Sequence, residues 1–194
     1  AANLKEKQVQ IQWNDRLTRQ EADIEESRRK TNINFFSAAG SYDYLSTTAE
    51  TDQGELTEAT KWVSFSQRFF TTGIIASNAF SGGKLLQETP KDTLSIKNVS
   101  VSLVLPLENN QAAVQYYFGP NRYNVLKRVT DGFEKNVDMG YFFVSWVNKY
   151  IIVNLFQFLE KYVTNYGVII ILIVLIIKLA LFPLTYKSYI GMAK

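Results

Sequence analysis

The sequence predicts a mostly antiparallel β-sandwich, followed by an amphipathic helix along a membrane interface and one transmembrane helix. Three observations carry this reading. Residues 166–182 read YGVIIILIVLIIKLALF, with one charge and no helix breaker after Gly167. With Val163 and Leu184 at the flanks, this gives about 20 largely apolar positions, enough to cross a bilayer core as a helix. Upstream, short runs of β-branched and aromatic residues follow one another without alternating helical segments, the pattern of an antiparallel sandwich. Between the two, residues 141–162 carry apolar side chains at helical spacing beside a separate polar line, which suits a helix lying in the interface.

Composition narrows the function. The 194 residues are 46% hydrophobic and 20% charged, an ordinary globular balance once the span is set aside. Of 21 Lys/Arg and 18 Asp/Glu, residues 141–194 hold five and one, leaving 16 and 17 in residues 1–140. The globular part is therefore close to neutral, which argues against nucleic-acid binding. The basic excess lies near the membrane, where anionic lipid favours it. Neither Cys nor His occurs, so disulfides, thiolate chemistry, zinc motifs and His-dependent catalysis are excluded. The chain opens at Ala1-Ala2-Asn3 and stops ten residues past Leu184; both ends read as cuts in a longer polypeptide.

Taken in order, residues 9–13 alternate apolar and polar as a half-buried strand. Residues 14–30 are dominated by charge, as a solvated helix or a long exposed hairpin. Residues 31–37 and 42–47 read as a strand pair turned around Gly40. The polar stretch 48–60 is a loop, whose carboxylates Glu50, Asp52, Glu55 and Glu58 lack the EF-hand pattern. Residues 61–79 supply one or two central strands. Ser81-Gly82-Gly83-Lys84 is a turn without the spacing of a phosphate loop, and residues 85–88 resume the sheet. The clearest strands are 99–105 and 113–118. A short helix is expected over 121–129 and an extended piece over 133–139.

Two features near the membrane admit alternatives. The 141–162 segment could be a second span, but Ser145, Asn148, Lys149, Asn154, Gln157, Glu160 and Lys161 favour the interface, with Trp146 and Phe156 as anchors at headgroup depth. Lys178 is the one charge in the span. Such a residue either faces a wet cavity or bundle interior, or snorkels, since it stands five residues before Pro183 and has a long stem.

The segment 165–194, NYGVIIILIVLIIKLALFPLTYKSYIGMAK, resembles the first core span of the YidC/Oxa/Alb membrane-protein insertases, in particular their Gram-negative branch. The matching residues are Asn165, Tyr166, Gly167, Lys178, Pro183, Leu184, Thr185, Met192, Ala193 and Lys194. Asp138-Met139-Gly140-Tyr141 looks like the end of that family's periplasmic domain. Lys61-Trp62-Val63, Gln67-Arg68-Phe69-Phe70 and Phe118-Gly119-Pro120 look like its β-domain motifs. The resemblance implies a mutarotase-like periplasmic β-sandwich over residues 1–139, an interfacial helix over 140–164, a span over 165–185 and the start of a cytoplasmic region over 186–194. It also implies a helix break at Pro183, a water-filled groove holding Lys178 where most members have Arg, and a multi-pass protein of the bacterial inner membrane. Expected partners are nascent membrane proteins, the Sec translocon with its accessory subunits, membrane lipid and, through parts outside this chain, the translating ribosome. No cofactor, metal or nucleic acid is implied.

The expected function is insertion and folding of membrane proteins, alone or with the translocon, without enzymatic catalysis. The alternative is a single-span anchored envelope β-domain that binds a ligand or partner; further spans after Lys194 would exclude it. A sugar-active enzyme on the same sandwich needs a carboxylate pair, and the scattered loop acids offer none.

Overall fold

The computed structural model describes residues 7–140 and 146–192, and of residues 184 and 187–192 the backbone alone. The chain divides into two compact units, Ala1–Val137 and Asp138–Lys194.

The first unit is the expected sandwich, and every strand pairing in it is antiparallel. Its strands are β1 (Gln8–Thr18), β2 (Asn32–Ser37), β3 (Tyr42–Tyr44), β4 (Thr51–Leu56), β5 (Thr60–Ser66), β6 (Phe70–Phe80), β7 (Gly82–Glu88), β8 (Ser95–Pro106) and β9 (Val114–Pro120). One sheet has the order β1-β8-β7-β4, the other β3-β2-β5-β6-β9. Strand β8 shows why they stack. From Val99 to Leu105 every second residue is buried, because successive side chains point to opposite faces of the sheet. Val99, Val101, Leu103 and Leu105 meet Val63, Phe65 and Ile74 of the other sheet in one apolar core.

A second cluster lies on the outer face of the β5-β6 sheet, where Trp62, Phe36 and Ile75 are covered by Leu126 and Phe133. Trp62 stacks on Phe36 at 5.6 Å, meets Phe133 edge-on at 4.9 Å and donates its indole N–H to the Asp131 carbonyl at 3.0 Å. Gly73 makes room for this cover, since a Cβ there would stand 2.7 Å from the Phe133 ring.

Four expectations need correction. The charged stretch 14–30 is neither wholly helix nor hairpin: β1 continues to Thr18, and α1 (Ile24–Arg29) follows, capped by the Asp23 carboxylate on the Glu26 amide at 3.0 Å. The polar loop contains β4, which lies at a sheet edge where one side of the strand stays in water. An edge strand tolerates polar residues that a central strand would bury. The Gly82-Gly83-Lys84 segment is not a turn but the start of β7, leaving Ser81 alone to carry the chain from one sheet to the other. Gly83 is needed because a Cβ there would lie 2.6 Å from the Ser102 carbonyl oxygen. Finally, residues 133–136 are not extended. After the short helix α2 (Tyr123–Leu126), Gly132 takes a left-handed φ of 74° and starts a 3₁₀ turn, Phe133–Asn136.

In the second unit a helical segment runs from Trp146, through a π turn at Asn148–Ile152, into α3 (Val153–Glu160). The long helix α4 covers Tyr166–Met192. The Phe142 and Phe143 positions of the expected amphipathic helix lie outside the described residues.

Candidate functional site

The site candidate is α4 with the helical segment before it. Helix α4 begins where Asn165 Oδ1 accepts the Gly167 amide at 2.9 Å and the Val168 amide at 3.4 Å, satisfying donors that a first turn leaves free. Tyr166 joins the two helices: its ring stacks on Phe156 at 5.9 Å and its hydroxyl donates to Glu160 Oε1 at 3.1 Å. One and two turns further along, Ile169 and Ile173 are buried.

Most of the remaining Tyr166–Pro183 stretch is exposed. Over Tyr166–Pro183 the mean hydropathy is 2.7, yet only 11% of the stretch is buried. A soluble helix of that composition would be covered on most sides. One this apolar and uncovered has the length and character of a membrane span.

Lys178 lies exposed on this helix, and no described carboxylate pairs with it. Helical geometry puts it about 18 Å along the axis from Tyr166 and about 140° round from Ile173. It therefore points away from the face that carries the two buried isoleucines. The expected break at Pro183 is corrected: α4 runs through it to Met192. Pro183 removes one N–H from the ladder, and Thr185 Oγ1 donates to the Leu181 carbonyl at 2.9 Å just beyond it.

Of the two expected anchors, Trp146 is half exposed, whereas Phe156 is partly covered and turned to Tyr166. The outward aromatic line is Trp146, Tyr150, Phe158 and Tyr162, with Trp146–Tyr150 rings 5.9 Å apart and Phe158–Tyr162 rings 5.3 Å apart. Tyr150 and Tyr162 are not among the anchors expected from sequence, although their four-residue spacing from Trp146 and Phe158 is a visible signal. Asn154 is exposed and donates to the Tyr150 carbonyl at 2.9 Å.

Among the described residues of the β-unit, the titratable group furthest from its ordinary state is Lys97, which is 1% exposed. Burial lowers its amine to about 8, against the attraction of Asp52. Its Nζ donates to the Thr47 carbonyl at 3.4 Å. The concave outer surface of the β1-β8-β7 sheet is lined by Asn14, Arg16, Glu88, Asn98 and Ser100, a mixture of donors and acceptors with no concentrated charge.

Comparison with known proteins gives these features a context. The profile of the YidC periplasmic domain matches residues 1–153. Proteins called membrane protein insertase YidC are similar along nearly the whole chain. That of Amoebophilus asiaticus is 38% identical over 192 residues, covering 96% of this chain and 32% of its own length. That of Porphyromonas gingivalis is 32% identical over 196 residues, covering 95% and 31%. That of Cytophaga hutchinsonii is 33% identical over 176 residues, covering 83% and 28%. The chain thus spans about a third of the length of the curated relatives it matches. A sandwich matched as a periplasmic domain, running on into an apolar helix within the same stretch of similarity, leaves one conclusion: the chain belongs to the YidC family.

Proposed function

We propose that this chain serves, as part of a longer protein, in a membrane-protein insertase and chaperone of the bacterial inner membrane. The observation that carries the proposal is the single cation of the apolar Tyr166–Pro183 stretch of α4, Lys178, which faces away from its buried Ile169–Ile173 side. A charge at mid-bilayer costs about 3 kcal/mol or more when left to lipid. A hydrated groove, closed by further spans of a multi-pass protein, removes most of that cost and gives the charge a use.

The physical task is to bring polar segments of a client through hydrocarbon. Each unsatisfied backbone group stripped of water there costs several kcal/mol. A wet recess partway across the bilayer shortens the dry path, and an ammonium inside it draws acidic client residues by Coulomb attraction. No covalent bond changes, so no residue acts as a catalyst. Lysine supplies the charge without the bidentate fork of arginine, which suits a loose, sequence-tolerant contact.

The β-unit lies in the periplasm on this reading, because Lys187 and Lys194 follow the span whereas Glu160 offsets Lys161 before it, and positive flanks favour the cytoplasm. The aromatic line from Trp146 to Tyr162 lies along the outer interface. Clients are nascent membrane proteins; the Sec translocon is a partner, and the ribosome is engaged through portions outside this chain.

In the full-length protein, Lys178→Arg should preserve insertion of clients with acidic translocated segments. Lys178→Ala should reduce it while sparing strongly apolar, uncharged clients. Equal insertion of every client by the alanine variant would mean a lysine that merely snorkels.

A further inference from the structure

The β-unit ends in a buried polar knot that ties its exit to one hairpin. Asn136 Oδ1 accepts from Asn34 Nδ2 at 2.6 Å and from Ser64 Oγ at 2.7 Å. Its backbone carbonyl accepts from Ser66 Oγ at 3.1 Å and Asn121 Nδ2 at 3.3 Å. Asn121 also reaches the β5–β6 turn, through its Nδ2 to the Gln67 carbonyl at 2.9 Å and its amide to the Phe69 carbonyl at 2.7 Å. The Gln67 amide closes that turn on the Phe70 carbonyl at 2.8 Å. The chain leaves the β-unit, at Val137, from the same end of the sandwich that presents this turn.

On the turn stand two large apolar side chains in the open, Phe69 at 56% and Phe70 at 59% exposure. Phe118, 68% exposed, follows on the neighbouring strand, two residues from the Pro120 that pairs with Phe70. A single exposed phenylalanine needs no explanation, but three on one rigid tip form an apolar patch of the kind that marks a contact surface. The cation of the turn itself is already engaged: Arg68 bonds Glu21 at 2.9 Å and lies over the Phe69 ring at 5.2 Å. The turn therefore presents apolar rings with its own charge paired, a surface suited to lipid rather than to a charged protein partner.

We infer that this tip is a lipid contact, with Phe69, Phe70 and Phe118 seated among the headgroups of the outer leaflet. This rests on the interfacial reading of the helix that starts at Trp146. Nine residues lead from Val137 to Trp146, and a fully extended chain of that length covers at most about 30 Å. On that reading the exit cannot lie farther than that from the interface, and the tip is bonded to the exit through Asn121. Phenylalanine belongs to the apolar faces that bury themselves at the headgroup boundary, and a turn held by its own hydrogen bonds loses little freedom on docking.

The test uses the full-length protein in vesicles of phosphatidylcholine and phosphatidylglycerol, with nitroxides on Phe69→Cys, Phe158→Cys and Asn110→Cys. Asn110 belongs to the polar β8–β9 turn at the opposite end of the sandwich. Collisions with oxygen, which concentrates in lipid, are compared with those of a water-soluble nickel chelate. The oxygen-to-nickel ratio at 69 and 158 should exceed that at 110 severalfold. A ratio at 69 matching 110, with 158 still lipid-exposed, would overturn the tip contact and leave the interfacial helix standing. Shielding of 69 from both reagents would mean that protein covers the tip and would overturn it too. A water-like ratio at 158 would sink the interfacial reading itself.

Discussion

Strand β8 and helix α4 use the same residues to opposite ends. Along β8 the apolar side chains turn inward at alternate positions and are nearly all buried. Along α4, Ile170, Ile171, Leu175, Leu179 and Leu181 are each more than half exposed, and among its described side chains only Ile169 and Ile173 are buried. In the sandwich, apolar burial is completed within the chain, and water exclusion drives it. In α4 it is completed by something else, and on the function proposed above that something is lipid and neighbouring spans. Damage to the sandwich should therefore cost folding free energy, and damage to α4 should cost placement.

The largest expected effect that would break this contrast is Trp62→Ala. Removing a fully buried indole should destabilise the β-unit by about 3–5 kcal/mol, read as a lower urea midpoint of its tryptophan signal. The helical signal of α4 in lipid should be unchanged. If both fell together, the two units would not be independent in the way their burial suggests.

Asn136→Ala should come next. It leaves the Asn34 amide and the Ser64 hydroxyl buried without their acceptor, a loss of about 2–3 kcal/mol, again confined to the β-unit. Conversely, Ile171→Ser on the exposed side of α4 should leave the urea midpoint of the β-unit within experimental error.

Lys97 sharpens the comparison, because it is a charged group confined to a water-excluding core. Its amine titrates at about 8 in the folded unit, against about 10.4 in an unfolded chain. Between those values the unfolded state binds more protons, so stability should rise with pH from about 8 to about 10. Below 8 the cost of the buried charge is present in full. Lys97→Met should flatten this slope and raise stability at pH 7 by about 1 kcal/mol. A slope unchanged by the substitution would assign the titration to another group.

Much of this architecture is legible in the amino-acid sequence alone. Strands β8 and β9 announce themselves by alternation, the span by its uninterrupted apolar run, and Lys178 by being the single charge within it. The features that sequence does not reveal have local causes. Thr51–Leu56 is polar because it is an edge strand, and polarity alone reads as loop. Gly82 and Gly83 look like a turn, although Gly83 is there to admit the Ser102 carbonyl. The knot at Asn136 joins residues as far apart as Asn34, and no local pattern encodes such a meeting. Neither the π turn at Asn148–Ile152 nor the stacking of Phe156 on Tyr166 shows in a plain helical repeat.

Whether Lys178 projects into water within the membrane can be tested directly. This chain carries no cysteine of its own, so Lys178→Cys in an otherwise cysteine-free full-length protein offers one thiol. A membrane-impermeant thiol reagent applied from the cytoplasmic side should label it, as it labels a control Lys187→Cys. No labelling at 178 with complete labelling at 187 would contradict the hydrated groove and leave Lys178 as a lysine in lipid.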